Sequence, residues 1–346
     1  MGASKIYSER LGAISDDQLE AAAARLGLGR FVRAAPVSGG LFGQNVFLTT
    51  SDGEFVLRGA PHWVRGPADK AYRREDRWQF AKEAFFVRQL HEHTRVPVPW
   101  PYLRDEASDI FGWPYAVMPR MPGSCFDDRA IRAALTPEAR RAVAAALGAM
   151  LAEMQRLTSP FAGDFDVDAI ALTAHPGGTT RQVIEEARRC AASAQENGAI
   201  APSDLRWIED AERRALTAAE RPATYLHCDY KLNNLTVSPC EDGTWRVTGL
   251  FDFHEARFGD GSLDLVRQSC SYLDAEPDLA RVFVEAHRAV VGADPELRLV
   301  TPLHVINDRL KIWEHFTRPG SRAPWAAGKT FREWAEPYVA GLLALL

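Results

Sequence analysis

The sequence predicts an α+β chain of two lobes, a small antiparallel-sheet lobe followed by a larger and mainly helical one. Three observations predict it. Short β-like runs crowd the first third of the chain. A stretch fit for a linker, Pro119-Arg120-Met121-Pro122-Gly123, closes that third. Helical patterns dominate afterwards, interrupted by a β-hairpin. With 346 residues, 46% of them hydrophobic, the chain can bury a large core and form two lobes. We place the boundary in the linker, giving a first lobe over 1–122 and a second over 123–346.

The elements follow in order. Ser15-Asp16-Asp17-Gln18 has the form of a capping box, so a helix opens there and ends at Gly27 and Gly29. Residues 37–48 read as strand, glycine-rich turn and strand. Asp52-Gly53 is a two-residue hairpin signal, and 54–58 is the returning strand. The polar stretch 61–77 reads as a loop or irregular insertion. Residues 78–91 form a helix with Phe80, Ala84, Val87 and Leu90 on one side. Pro97, Pro99 and Pro101 break the chain, and 113–118 is a further strand. In the second part, 136–157 is an Ala-rich helix with Pro137 in its first turn. Helical patterns follow at 181–195, 203–219, 262–273, 276–291 and 301–316, with β-like pieces at 235–237 and 245–251.

Composition excludes several classes. Lys and Arg number 41 against 46 Asp and Glu, a net charge of −5, which argues against a general nucleic-acid binder. Five cysteines form no CxxC pair, so neither a zinc site nor a disulfide framework is expected, and a reducing cytoplasmic setting fits. Residues 1–11 carry charges and no apolar run, so no signal peptide is expected. Ile6 breaks the myristoylation pattern that Met1-Gly2 begins. No apolar run is long enough to span a bilayer.

The chemistry is concentrated in two places. Leu226-His227-Cys228-Asp229-Tyr230-Lys231-Leu232-Asn233-Asn234-Leu235 has the form H-x-D-x-x-x-x-N before an apolar strand. Downstream, Gly249-Leu250-Phe251-Asp252-Phe253 is an apolar strand ending in an aspartate, followed by Gly259-Asp260-Gly261-Ser262-Leu263-Asp264-Leu265. Phosphoryl transfer needs an acceptor hydroxyl held in line and counter-charge for the phosphates. A carboxylate such as Asp229 can position the hydroxyl and take its proton. Hard Mg²⁺ prefers oxygen donors, which Asn234 and Asp252 supply. A hairpin between them would bring all three to one cleft.

This stretch resembles the aminoglycoside phosphotransferase family, also called the phosphotransferase enzyme family, a branch of the protein-kinase-like fold. His227, Asp229, Asn234, Asp252, Gly259, Asp260 and Asp264 fall on its pattern of H-G-D-x-x-x-x-N, I-D-[FW] and G-D-x-x-x-D-L. Gly39-Gly40 with Asn45 resembles its nucleotide loop, and 114–123 its adenine-receiving strand and hinge. The resemblance implies a bilobal protein-kinase-like fold with ATP or GTP and Mg²⁺ in the cleft. By it Asp229 is the catalytic base and Asn234 and Asp252 are the metal ligands. Gly39, Gly40, Arg58, Glu83, Met118, Arg120 and Met121 are nucleotide-side residues, with Arg58 in the position of the strand cation that pairs with Glu83. His227 and Asp264 would brace the catalytic loop.

The chain departs from the family pattern twice. Arg58 stands where lysine is usual, and the two are not equivalent. Cys228 stands where glycine is usual. Glu255, Asp260 and Glu314 are the acids that a cationic acceptor could use; the same residues also read as ordinary loop and helix charge. No A-P-E segment follows Asp252, which disfavours a protein kinase proper. Three functions fit these residues. One is a kinase for an aminoglycoside-like or other hydroxylated antibiotic. The second is a metabolic kinase for a choline-, homoserine- or sugar-like alcohol. The third is a nucleotide-binding pseudokinase. The acceptor is a small hydroxylated molecule, with no nucleic acid or membrane partner; nothing in the sequence sets the oligomeric state.

Overall fold

The computed structural model describes residues 4–8, 10–37, 44–59, 70–125, 129–242, 244–318 and 323–346, with the backbone alone for 70–78 and 129. The expected nucleotide loop at Gly39 and Gly40 lies outside the described residues.

The small lobe is built on a five-stranded antiparallel sheet. Its order is Phe31–Pro36, Asn45–Thr50, Gly53–Gly59, Tyr115–Pro119 and Leu103–Asp105. The Asp52-Gly53 signal is the turn of its central hairpin, where Thr50 faces Gly53. Side chains alternate along a strand, so each face collects its own set. Val46, Leu48, Leu57, Tyr115 and Val117 pack with Leu19, Ala22 and Ala23 of the helix Asp16–Arg25. Val56, Ala116 and Met118 pack on the other side with Phe80, Phe86, Val87 and Leu90 of the helix Lys70–His93. The sheet is therefore covered on both faces, and Tyr115-Ala116-Val117-Met118 is apolar at every position. The same alternation turns Arg58 away from Leu57, toward the helix that carries Glu83.

The expected capping box is present. Ser15 Oγ accepts from Gln18 N, and Gln18 Oε1 accepts from Ser15 N. Two expectations need correcting. The first sheet strand is Phe31–Pro36, ahead of the expected start at 37. The helix expected from 78 begins at Lys70, because Lys70 to Arg77 holds neither Gly nor Pro and is rich in good helix formers. Among the elements that the sequence reading lacked are the short strands Leu103–Asp105 and Ala223–Leu226, a terminal hairpin and a last helix. A hairpin pairs Lys5–Ser8 with Gly12–Ile14, and a final helix spans Phe331–Leu345 behind its own capping box at Thr330 and Glu333.

In the large lobe, Leu235–Pro239 pairs with Trp245–Leu250, and Ser124–Cys125 adds a third strand. A second sheet has the order Ala171–Ala174, Gly163–Asp166, Arg257–Gly259, Ala223–Leu226 and Thr158–Ser159. Helices enclose both. Pro137–Met154, capped by Thr136 and opened by Pro137, lies against Pro277–Val291. Their approach depends on Gly148: a Cβ there would stand 2.3 Å from the Phe283 carbonyl oxygen. The five cysteines are free thiols. Among the described residues, no helix is long and apolar enough to cross a membrane.

The Gly148 contact yields a test. Gly148→Leu forces a side chain into backbone and should destabilise the fold by about 3 kcal/mol. Urea denaturation measures this, and an unchanged midpoint would mean the two helices can separate freely.

Candidate active site

Strand Ala223–Leu226 runs directly into the catalytic loop. Cys228 takes φ +65°, a left-handed conformation that costs a non-glycine residue about 1–3 kcal/mol. That is the physical reason for glycine at this position in the family pattern. Burial pushes the Cys228 thiol up to about 12, so it is a packed thiol and not a nucleophile.

One face of the helix Ser262–Ala275 holds the loop. Asp264 accepts the His227 amide at 2.7 Å and the Cys228 amide at 2.8 Å. Arg267, one turn on, donates to Asp229 Oδ1 from Nε at 3.2 Å and Nη2 at 2.9 Å. Gln268 Oε1 accepts the Leu232 amide at 3.0 Å. Positions i, i+3 and i+4 share a helix face, so three side chains grip four groups of the loop. Burial pushes the Asp264 carboxyl up to about 7, against the pull of the two amides. His227, fully buried, accepts the Asp229 amide on Nδ1 at 3.3 Å. Its Nε2 lies 3.0 Å from the Phe251 carbonyl. The neutral tautomer protonated on Nε2 satisfies both, and burial holds the ring neutral. His227 thus ties the catalytic loop to the turn carrying Asp252.

The Asp229 carboxylate has partners on both oxygens. Besides Arg267, its Oδ2 meets Lys231 Nζ at 2.7 Å and Asn234 Nδ2 at 2.9 Å. Burial alone would raise its pKa, but Arg267 and Lys231 prevail and hold it below the usual carboxylate range. Asn234 Nδ2 also donates to the Asp229 carbonyl at 2.9 Å, which commits the amide nitrogen inward.

Asp252 lies beside Asn234, since the Phe251 amide donates to the Asn234 carbonyl at 3.1 Å. It too is left-handed, at φ +74°. Both Nη atoms of Arg58 donate to Asp252 Oδ1 at 3.1 Å. Arg58 Nη2 stands 3.4 Å from Glu83 Oε1. Glu83 also accepts from Tyr102 Oη at 2.9 Å and Gln79 Nε2 at 3.0 Å. Burial opposes the charge on Asp252, but Arg58 and then His254 hold its carboxyl well below the usual range. His254 Nδ1 is 3.0 Å from Asp252 Oδ1, and its Nε2 is 3.3 Å from Glu255 Oε1. Burial would lower the His254 pKa, yet these two carboxylates push it up to about 10.

The donor set suits Mg²⁺. Among the described residues, nothing donates to Asn234 Oδ1 or Asp252 Oδ2, and no group of three or more His, Cys, Asp or Glu side chains forms a closed metal centre. Two hard oxygens without donors of their own match an ion that completes its shell with water and substrate phosphates.

The other predicted residues are placed differently. Met118 is buried toward the larger core, and Met121 packs over Gly249 of the catalytic hairpin. Arg120 pairs with Glu54 at 3.3 Å, and its guanidinium lies 4.0 Å above the Phe47 ring. Asp260 is corrected from a substrate acid to an internal one: only 1% exposed, it accepts from Ser262 and pairs with Arg221 Nε at 2.8 Å. Glu314 is likewise taken by Arg318 at 2.8 Å and Ser193 at 3.0 Å. Glu255 is exposed beside His254. The sequence reading missed Arg267, His254 and Tyr102. Arg267 had a signal, its helical spacing of three from Asp264.

Comparisons with known proteins accord with this arrangement. The model of the phosphotransferase enzyme family matches residues 33–298. The IBR3 protein of Arabidopsis thaliana, described as a probable acyl-CoA dehydrogenase, is 26% identical over 198 residues. That match covers 56% of this chain but only 23% of the relative, so the chain spans about a quarter of that protein's length. Among solved structures, a Ralstonia eutropha JMP134 protein described as an aminoglycoside phosphotransferase superposes with a TM-score of 0.63 at 17% identity, over 95% of this chain and 97% of the other. The GDP complex of aminoglycoside 2'-phosphotransferase-IIIa gives 0.57 at 15% identity, over 93% and 94%. At these identities the likeness establishes the fold, a bilobal protein-kinase-like one.

Glu83→Ala should remove the inner partner of Arg58 and orphan the Tyr102 hydroxyl, costing about 3 kcal/mol of stability. Chemical denaturation of the variant measures this, and a loss below about 1 kcal/mol would mark the pair as a solvated one.

Proposed function

Because the chain belongs to the phosphotransferase enzyme family, we propose that it is a Mg²⁺-dependent kinase that moves the γ-phosphoryl group of ATP or GTP to a hydroxyl of a small molecule. The observation that carries this reading is the bridge made by Asn234. Its amide nitrogen holds the Asp229 carboxylate while its amide oxygen remains open beside Asp252. An acceptor-side base and a metal-side pair of oxygens are thereby fixed in one cleft.

The roles follow from the geometry. Asp229, ionised because of Arg267 and Lys231, accepts the proton of the acceptor hydroxyl. The oxygen forms its bond to the γ-phosphorus as the bond to the bridging β–γ oxygen breaks, and the nucleoside diphosphate leaves. Asn234 and Asp252 would hold Mg²⁺, which supplies counter-charge to the phosphates. Arg58, held by Glu83, is the cation within reach of the phosphate side. Gly39 and Gly40 are the proposed loop over the phosphates, and Met118, Arg120 and Met121 the proposed hinge. Five free thiols support a reducing, cytoplasmic setting.

The acceptor expected first from the sequence is an aminoglycoside-like or other hydroxylated antibiotic. A metabolite alcohol is the second reading, and the pairing of Asp260 with Arg221 and of Glu314 with Arg318 favours it. A polycationic drug needs open carboxylates; these two are already engaged, and the exposed Glu255 lies against His254. The pseudokinase reading rests on Arg58 and Cys228, and it is opposed by the intact Asp229, Asn234 and Asp252.

Mg²⁺-dependent release of ADP or GDP across a panel of alcohols tests the proposal. Asp229→Ala should lower turnover at least about 100-fold while nucleotide binding persists. Near-normal turnover would remove Asp229 as the base. Asp252→Ala should abolish the Mg²⁺ dependence of nucleotide binding, which a titration with and without the metal reads directly.

The lowered pKa of Asp229 sets a pH dependence. The ionised base is complete above its folded pKa, so activity falls only as pH drops through a value below the ordinary ~4. Arg267→Gln removes the larger stabilising cation and should move this acid limb to higher pH. A kcat/KM profile that keeps its acid limb in place would show that Arg267 does not tune Asp229.

A further inference from the structure

Resting on the kinase reading, we infer that the acceptor is an anionic alcohol, a small hydroxylated molecule carrying a carboxylate or a phosphate group. The argument is one of charge around Asp229. Its nucleotide flank is Asn234 and Asp252. Cations hold both of its oxygens, Arg267 on Oδ1 and Lys231 beside Asn234 on Oδ2. Beyond them, Arg257 and Lys311 converge on one carboxylate, Glu186. Arg257 Nη2 is 2.8 Å from Glu186 Oε2, and Lys311 Nζ is 3.0 Å from Glu186 Oε1. Asn307 Nδ2 adds a third donor at 2.9 Å.

These groups adjoin the catalytic loop. Arg257 faces Leu226 across the sheet, one residue before His227. Lys311 lies one turn beyond Asp308, which shares Arg267 with Asp229 at 3.3 Å. Arg257 and Lys311 are both among the charges that act on the Cys228 thiol. Four cations thus stand on Asp229 and Glu186.

Other carboxylates nearby do not reverse the balance. Asp308 is answered by Arg309 as well as Arg267. Glu255 lies against His254, and Lys82 is a further cation in its field. Asp164 sits in the field of Lys82 and Arg257. Asp260 is sealed inside with Arg221. A polycationic acceptor meets repulsion here, and a neutral alcohol leaves the surplus charge unanswered. An anionic group pairs with it, Lys311 being the most accessible of the four cations with 37% of its side chain exposed.

The test uses the full chain with Mg²⁺ and ATP or GTP. Four probe series of matched chain length are compared: hydroxycarboxylates, phosphate monoesters of diols, neutral diols and amino alcohols, with kanamycin as a polycation. Diphosphate release is one readout. Calorimetric binding in the presence of a non-hydrolysable nucleotide is the other. The expected result is a response to one anionic series over its neutral and cationic counterparts, and the series that responds separates carboxylate from phosphate. Lys311→Glu should raise the KM for that anionic probe about tenfold, the loss of one charge-assisted contact, with nucleotide KM unchanged. Lys311→Arg should restore it. Release stimulated only by amino alcohols or kanamycin overturns the inference and leaves the kinase reading intact. Anionic probes silent in both readouts also overturn it. Loss of Mg²⁺-dependent nucleotide binding counts against the kinase reading itself, and the calorimetric arm then judges the anion site separately.

Discussion

The arrangement depends on one face of one helix, where Asp264, Arg267 and Gln268 hold the catalytic loop. The loop contains a left-handed cysteine and no regular backbone ladder of its own between His227 and Lys231. Left to itself it would sample many turns, and Asp229 would be one carboxylate among several at the end of a strand. The helix replaces the missing ladder with side-chain bonds to three backbone amides and to the Asp229 carboxylate. The same contact that fixes its position also keeps it ionised. Position and protonation state are therefore set together, and a change that loosens the helix alters both.

The site also separates its charges by direction. On the nucleotide side, Arg58 is shared between Glu83 and Asp252, and oxygen donors remain open. Farther along, Glu186 and Asp260 are engaged by Arg257, Lys311 and Arg221, while Glu255 stays exposed beside His254. Buried pairs of this kind add little net stability compared with apolar packing, because desolvation offsets much of their attraction. Their value is in specificity. On the inferred reading they select the charge that the cleft admits, which area of apolar surface cannot do.

The sequence disclosed these two sides unequally, for a physical reason. His227, Asp229 and Asn234 lie on one loop, and Asp252 follows one hairpin later, so their spacing is fixed by local backbone geometry and readable as a pattern. The pairing of Arg58 with Glu83 was legible only through the family resemblance, because a strand and a separate helix carry the two residues. Glu186, Arg257 and Lys311 meet only through tertiary packing, from the helix Gly178–Glu196, the strand Arg257–Gly259 and the helix Leu297–Phe316. No spacing links them. Asp260 was misread for the same reason, since its partner Arg221 is distant in sequence and only burial reveals it. The final helix was missed although Thr330 and Glu333 announce it, because Pro337 interrupts its interior pattern.

Arg58 has one more consequence. It sits on the small lobe's sheet yet bonds Asp252 of the large lobe, so one guanidinium ties the two lobes together. On the proposed reading, a metal that takes Asp252 has to draw that carboxylate away from the guanidinium. Binding is then an exchange of one counter-ion for another at the seam between the lobes, and the departing partner leaves a cation free for a phosphate.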